Sequence, residues 1–459
     1  MLREGQFEPT ESLDEDLYSK FEELNFADYE LLVPDKKSTE DQKRIFLDGG
    51  ARNPKLIYPK LEMDRLSSLE EKLLALKEET KLEKPREKYV EHMEEPDLVK
   101  QVYRWKINEK IAQVRMLKSS VKGDMRSFGR YSEFVYGKPS KEIFDFIVNK
   151  TQDKMRQHKF SNAALELADV LPEKEDATLQ EPTQEEFGRA SEVLLQRLEQ
   201  LIKIKDGKGA YSADEISLAF DEALKELKAD GWKVEIDRES GRSAISVSQD
   251  TKTVNIPESK YLLGPALKKL IAHEIGTHVS RRLSGERSRL KLLGLGLDRY
   301  DKGEEGVATL AEQVVEGDAE GFTRQALYLA ISLASGVDGE RRDFRDVYDI
   351  MYKYYSLQKE DGNFANEKPE ELAWTTCVRV FRGTDCSSST CFTKDLIYLE
   401  GNIGVWNVVR TDEDELFRFS VGKYDPNNSR HIMILDMLGI SNEDLNNLEE
   451  NESTSGKES

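Results

Sequence analysis

The stretch that decides the fold is His273-Glu274-Ile275-Gly276-Thr277-His278, which lies on an apolar helical segment. The chain has five histidines, and two of them fall within these six residues, with a glutamate directly after the first. Neutral imidazoles bind zinc, and a catalytic zinc site combines three protein ligands with a water molecule. We therefore predict that His273 and His278 bind one Zn²⁺ ion. Two ordinary helix histidines beside a surface glutamate are the alternative interpretation.

The spacing of the two histidines differs from that of the common zinc-peptidase motif. In that motif the histidines stand at i and i+4, about 40° apart around a helix. Here they stand at i and i+5, about 140° apart on a regular helix, so the two rings could not face one ion. A π-bulge or local unwinding would absorb the extra residue, and Gly276 would ease the distortion. We therefore predict an irregular helix from Gly276 to His278.

A third ligand is expected about thirty residues later, in Glu304-Glu305-Gly306-Val307-Ala308 at the start of the next helix. Helical geometry leaves both glutamates open as the ligand. Glu305 shares a helix face with Ala308, whose small side chain would let the metal-binding helix approach closely. The alternative is that the glutamates only favour a helix N-terminus through the macrodipole.

Glu274 is the predicted general base, because it directly follows the first ligand. A zinc ion lowers the pKa of a bound water toward neutrality. A neighbouring carboxylate can take the proton of a zinc-bound water and later pass it to the leaving amine. These residues together predict a zinc-dependent hydrolase of peptides.

Composition limits the class of protein. The chain has 459 residues, of which 38% are hydrophobic and 34% charged, as is typical of a soluble, helix-rich protein. The formal net charge of -21 disfavours nucleic acid as a partner. No apolar run is long enough to span a membrane, and the first twenty residues lack the apolar core of a signal peptide. Three clustered cysteines indicate free thiols in a reducing compartment, so a cytoplasmic location is expected.

The chain divides into four predicted parts, delimited by proline-rich and charged stretches. They are an irregular N-terminal segment at 1–58, a helical N-terminal region at 59–205, a zinc metallopeptidase catalytic domain at 206–440 and an acidic disordered tail at 441–459.

Three short β-branched or alternating stretches follow one another at 232–237, 243–248 and 253–256. They predict a small antiparallel sheet beside the active-site helix. A second long helix is predicted from about Glu304 to about Ala334. The predicted fold class is therefore α+β, a mostly helical, zincin-like metallopeptidase.

HEIGTHVSR followed by EEGVA resembles the microtubule-associated tyrosine carboxypeptidases and their bacterial relatives named for a QEGLP motif. That family is marked by H-E-x-x-x-H and then by E/Q-E-G-L-A/P. The shared glutamate of the second motif is Glu305 here, so the resemblance implies Glu305 as the third ligand. A third match follows the pattern R-G-x-x-D … F-x-K-D-x-x-Y-x-x-G, through Arg382, Gly383, Asp385, Phe392, Lys394, Asp395, Tyr398 and Gly401.

The resemblance implies a carboxypeptidase that removes a C-terminal residue, which is tyrosine in the eukaryotic members that act on tubulin tails. Such an enzyme must pair the terminal carboxylate of its substrate, and Arg382 and Lys394 are the candidates. Tyr398 could donate to the oxyanion of the tetrahedral intermediate. A purely structural loop is the alternative for these three residues.

The expected partner is the C-terminus of a peptide or protein. Tubulin is disfavoured, because the eukaryotic members have a long basic N-terminus and this chain begins acidic. Five basic residues between Arg281 and Lys291 form a candidate surface for an acidic partner, with a solvated helix end as the alternative. A zinc endopeptidase or other zinc hydrolase, and a non-catalytic helical interaction protein with a vestigial zinc fold, are the competing functions.

Overall fold

The computed structural model describes residues 12–82, 92–175, 179–204, 209–238, 245–317, 321–360, 362–363 and 367–441. These residues are mostly helical and include two small sheets, so the predicted α+β class is confirmed. The predicted acidic tail lies outside the described residues except for Ser441. Among the described helices, none has the length and apolar character of a membrane span. The three cysteines are free and buried.

Nine helices precede the first strand in the described part of the chain. They are α1 (Glu15–Glu22), α2 (Asp28–Leu31), α3 (Lys36–Leu47), α4 (Met63–Glu79), α5 (Glu95–Lys122), α6 (Met125–Tyr136), α7 (Lys141–Gln157), α8 (Asn162–Ala168) and α9 (Gln184–Leu201). The prediction that residues 1–58 are irregular is wrong for α1, α2 and α3. These short helices depend on tertiary burial of Phe21, Leu32 and Phe46, which a local sequence pattern does not reveal.

The remaining elements form the part of the chain that contains the histidine pair. They are β1 (Ala210–Tyr211), α10 (Ala213–Glu226), β2 (Lys233–Asp237), β3 (Ser246–Ser248), β4 (Thr253–Pro257), β5 (Leu262–Leu263), α11 (Gly264–His273), α12 (Ser280–Arg287), α13 (Leu292–Leu295), α14 (Asp301–Glu316), α15 (Gln325–Ser335), α16 (Phe344–Glu360), α17 (Pro369–Phe381), α18 (Leu396–Thr411), α19 (Glu413–Arg418) and α20 (Ser429–Met437). A π-helical segment, Glu274–Val279, joins α11 to α12 without a break.

The larger sheet is mixed, which corrects the prediction of an antiparallel sheet. Its strand order is β2-β4-β3, with β4 parallel to β2 and antiparallel to β3. The sequence suggested a small antiparallel sheet, but the most apolar strand of the three, β4, takes the centre, where Val254 and Ile256 are fully buried. A separate antiparallel pair joins β1 to β5, and β5 runs directly into α11. This pair fixes where the helix that carries His273 begins.

The long helix predicted from about Glu304 to about Ala334 is two helices. Gly317 ends α14 in the left-handed conformation, with φ of 76°, which is a common helix terminator. Arg324 is also left-handed directly before α15. The hydrophobic periodicity predicted a single helix, because α14 and α15 both bury apolar faces in the same core.

Candidate active site

Three side chains converge at the junction of α11 and α14. They are His273 at the end of α11, His278 in the π-helical segment and Glu305 in α14, and their ligand atoms all lie within 4.8 Å of one another. The irregular helix predicted from Gly276 to His278 is confirmed. Because a π-helix has a wider turn, residue i+5 returns to the same face, and the two imidazole centroids are 4.8 Å apart.

Each histidine has a carboxylate beside its Nδ1 atom. His273 Nδ1 lies 2.6 Å from Glu312 Oε1, and His278 Nδ1 lies 2.9 Å from Glu304 Oε1. Carboxylates in this position orient metal-binding imidazoles and fix their tautomer. The Nε2 atom of each ring thereby remains available to a metal ion.

The neighbouring glutamates of α14 have different partners, because adjacent helix positions point about 100° apart. Glu305 Oε2 lies 3.6 Å from His273 Nε2, whereas Glu304 contacts His278 and Arg281. Glu305 Oε2 is buried, and none of the described residues donates a hydrogen bond to it. A buried carboxylate oxygen without a donor, beside two imidazoles, fits a bound cation.

Buried cations fix Glu304 in place. Arg281 is 2% exposed, and its Nη1 donates to Glu304 Oε2 at 2.6 Å while its Nη2 donates to the Tyr424 carbonyl at 3.0 Å. Lys423 Nζ lies 3.5 Å from Glu304 Oε1. Burial would raise the pKa of Glu304, but Lys423, Arg281 and His278 outweigh it and lower that pKa to about 2. Glu304 is therefore an ionised carboxylate that holds the ring of His278.

The basic cluster between Arg281 and Lys291 is not an exposed surface at its first two members. Arg281 and Arg282 are both buried. Arg282 forms ion pairs with Glu22 of α1 and Glu286 of α12. These arginines therefore connect parts of the fold, and the predicted docking surface for an acidic partner is wrong at these two positions.

The surroundings of His273 are strongly acidic. Burial alone would lower the pKa of its imidazole, but the Glu312 carboxylate, with Glu274 and Glu305, raises that pKa to about 9. The same negative charge favours a bound cation in place of a proton.

A cavity of about 960 Å³ opens over these residues. Its lining includes six of the seven site residues predicted from the sequence, namely His273, Glu274, His278, Glu305, Lys394 and Tyr398. Two glycines let α14 and α18, which both line the cavity, approach each other closely. A Cβ on Gly306 would lie 2.3 Å from the Gly401 carbonyl oxygen, and one on Gly401 would lie 2.1 Å from that of Lys302. Backbone contact between α14 and α18 thus brings Tyr398 to the same cavity as Glu305.

Arg382, the seventh predicted residue, does not line this cavity. Its Nη2 lies 3.5 Å from Asp395 Oδ1, and its guanidinium lies 4.9 Å from the Phe392 ring centre. Arg379 donates two hydrogen bonds to the same carboxylate, at 2.9 and 2.8 Å. Burial would raise the pKa of Asp395, but Arg379 and Arg382 hold it well below its usual range. Arg382 therefore helps to fix the residue next to Lys394.

Lys394 is a buried cation on the cavity wall. It is 4% exposed, and its ammonium group forms no ion pair within 4.0 Å with a carboxylate of the described residues, although Asp395 and Glu305 act on it at longer range. Its Nζ lies 4.3 Å from the ring centre of Tyr29 and 5.4 Å from that of Tyr398. Burial would lower the pKa of Lys394, but Tyr398, Asp395 and other acidic groups raise it, so the side chain stays charged. An anionic ligand in the cavity would find an ammonium group without a carboxylate partner.

Sequence reasoning missed two kinds of residue at this site. Glu312 lies seven residues after Glu305. The helical repeat therefore places both glutamates on the face of α14 where the third ligand was expected. Arg281 and the N-terminal residues that line the cavity depend on tertiary contacts that no local pattern carries.

Comparison with known proteins identifies one family. A family model described as microtubule-associated tyrosine carboxypeptidase matches residues 153–443. Microtubule-associated tyrosine carboxypeptidase 1 of Mus musculus is 29% identical over 184 residues, which are 39% of this chain and 35% of that protein. The protein of the same name from Homo sapiens is 28% identical over 41% of this chain and 36% of its own length.

A further relative is named putative tyrosine carboxypeptidase MATCAP2, from Mus musculus. It is 27% identical over 157 residues, which are 33% of this chain and 26% of that protein. The chain thus covers about a third of the length of the first two relatives.

Proposed function

The chain belongs to the microtubule-associated tyrosine carboxypeptidase family, and on that premise we propose that it is a zinc carboxypeptidase. It would release a C-terminal residue, tyrosine or another aromatic, from a peptide or protein. The observation that carries the proposal is the convergence of His273, His278 and Glu305 beneath a cavity that also contains Lys394.

Zinc is the proposed metal because two imidazoles and one carboxylate are a ligand set of catalytic zinc sites. When bound, the ion would act as a Lewis acid that makes water a nucleophile at neutral pH and polarises the scissile carbonyl. Glu312 and Glu304 would keep the two rings in the tautomer that has Nδ1–H, so that each Nε2 is available as a ligand.

Glu274 is the proposed general base. It directly follows His273 and lines the cavity, so its carboxylate can take the proton of the attacking water and deliver it to the leaving amine. Tyr398 lines the same cavity, and its hydroxyl is the proposed donor to the oxyanion that forms at the scissile carbonyl.

Lys394 is the proposed partner of the substrate's terminal carboxylate. A buried charge is costly unless it is paired, and a free C-terminus would supply the missing partner. An internal peptide segment has no such carboxylate, so this contact favours a carboxypeptidase over an endopeptidase. Arg382 would act indirectly, because it fixes Asp395 beside Lys394.

The relatives are named for tyrosine removal and for microtubules, so a tyrosine-ended protein tail is the first substrate to assay, with tubulin as one candidate. A cytoplasmic location stays a prediction from the free cysteines.

The decisive assay uses two peptides of one sequence, both acetylated at the N-terminus and ending in tyrosine, one as the free acid and one as the amide. The zinc-loaded protein is expected to release tyrosine from the free-acid peptide at least 100-fold faster than it releases tyrosine amide from the amidated peptide. Only the free-acid peptide has a terminal carboxylate that can pair with Lys394. Equal cleavage of both peptides would favour the endopeptidase function. No cleavage of either would contradict the proposal.

A further inference from the structure

The cavity over the metal ligands has a second wall, which comes from the N-terminal part of the chain. Residues 25–30 and 33–36 line it, on and around α2. These residues lie outside 153–443, so the family match does not extend to them. A segment that the family match does not cover therefore completes the cavity.

This wall is anchored on both sides of α2. The Tyr136 hydroxyl lies 2.5 Å from each carboxylate oxygen of Asp28, which is 2% exposed. Lys110 Nζ donates to the Phe26 carbonyl at 2.6 Å, and Leu32 is fully buried. Because α2 has only four residues, these contacts fix the direction in which it presents its remaining side chains.

Tyr29 is the aromatic residue that α2 presents to the cavity. It is 36% exposed, in contrast to the buried Asp28 beside it. The Lys394 ammonium group lies 4.3 Å from the Tyr29 ring centre and 5.4 Å from the Tyr398 ring centre. The proposed carboxylate-binding group is thus close to two tyrosine rings that come from opposite parts of the chain.

A terminal carboxylate and the side chain of its residue share one Cα atom. If Lys394 holds the carboxylate, the departing side chain must lie within a few ångströms of the same two rings. Aromatic rings attract one another in offset or edge-to-face arrangements with centroids about 4.5–7 Å apart. We infer that Tyr29 is a specificity-determining residue, whose ring packs against the side chain of the departing residue and selects an aromatic C-terminus.

This inference deepens the proposed function and rests on it, because it needs Lys394 to bind the carboxylate. It adds a residue outside the matched region to the substrate pocket. It also gives the N-terminal helices a role in substrate selection, in addition to covering the catalytic core.

The test compares two free-acid peptides of one sequence, ending in tyrosine or in alanine, with the full-length, zinc-loaded protein. Tyr29→Ala is expected to lower the ratio of kcat/KM values, tyrosine over alanine, by about tenfold, mainly through KM. Tyr29→Phe keeps the ring and should keep the ratio. Tyr352→Ala is the matched control, because Tyr352 is 38% exposed on α16 and does not line the cavity.

Two kinetic results would overturn the inference. One is an unchanged ratio in Tyr29→Ala, and the other is faster cleavage of both peptides, which would mean that the ring blocks the site. A wild type that cleaves neither peptide would instead refute the proposed function. In that event, the affinity for free L-tyrosine, measured by calorimetry, tests the role of Tyr29 without turnover. About tenfold weaker binding by Tyr29→Ala would support the inference, and equal binding, or none by the wild type, would overturn it.

Discussion

One wall of the cavity, the charged wall, is held by ion pairs, and a second wall, the aromatic wall, presents Tyr29 and is held by hydrogen bonds and apolar burial around α2. On the first wall, Glu312 and Glu304 lie beside the Nδ1 atoms of the two histidines, and Arg281 holds Glu304. On the second, Asp28 lies against Tyr136 and Leu32 is buried, so that Tyr29 faces the cavity. The first wall lies within the family match and the second lies outside it. The proposed chemistry and the inferred selection of the departing side chain therefore depend on different parts of the chain.

The largest expected effect belongs to the charged wall. Glu274→Gln keeps the shape of the side chain but cannot accept a proton at neutral pH. We expect kcat to fall by about 10²- to 10⁴-fold. Zinc content and thermal stability should stay at the wild-type level, because Glu274 is not a proposed ligand. A folded, zinc-loaded variant with full activity would rule out Glu274 as the base.

The next prediction tests whether the carboxylates beside the histidine Nδ1 atoms increase the affinity of the site for zinc. Glu312→Gln removes the negative charge beside His273 Nδ1, and zinc affinity is expected to fall by about 10- to 100-fold in a chelator competition assay. Glu316→Gln is the matched control on the same helix face. Its carboxylate is half exposed and pairs with Lys269 at 2.9 Å, so zinc affinity should not change. Equal affinities in both variants would contradict an orienting role for Glu312.

The contact that joins α14 to α18 can be tested with two glycines. Gly401→Ala would put a Cβ 2.1 Å from the Lys302 carbonyl oxygen, and we expect a loss of about 3 kcal/mol in the free energy of unfolding. Gly188→Ala in α9 has nothing within 4 Å of the added Cβ and should stabilise the protein by about 0.5–1 kcal/mol. Denaturant unfolding measures both. A neutral Gly401→Ala would mean that the two helices can separate without cost.

The smallest expected effect is on the aromatic wall. Tyr136→Phe removes the hydroxyl that lies on buried Asp28, which should cost about 1 to 2 kcal/mol of stability. Because this loosens α2, KM for a tyrosine-ended peptide should rise by about threefold while zinc affinity stays constant. A loss of zinc in this variant would show that the two walls are not independent.

Local geometry explains which parts of the charged wall could be predicted from the sequence. The i, i+5 spacing of His273 and His278 required a helix distortion, and the structure has a π-helical segment there. The choice between Glu304 and Glu305 was different, because adjacent residues on one helix give no local reason to prefer either. The family motif favoured Glu305, and the structure brings it to the histidines.

The other features of the fold and of the site depend on contacts between segments that are far apart in the sequence. Arg382 and Lys394 both looked suitable for a substrate carboxylate, yet Asp395 contacts Arg382, and only Lys394 lines the cavity. Residues 1–58 have little helical periodicity, so neither α2 nor its approach to the cavity was visible. The order of β2, β4 and β3 likewise follows from burial of the central strand and not from the order of the strands in the sequence.

The central claim is that His273, His278 and Glu305 bind one zinc ion, and native mass spectrometry of the intact protein tests it most directly. We expect one zinc per chain in the wild type and in Glu316→Gln, and loss of that zinc in Glu305→Ala, with all three proteins folded. A wild type that stays free of zinc after purification in zinc-containing buffer would contradict the account. So would a Glu305→Ala variant that keeps a full equivalent.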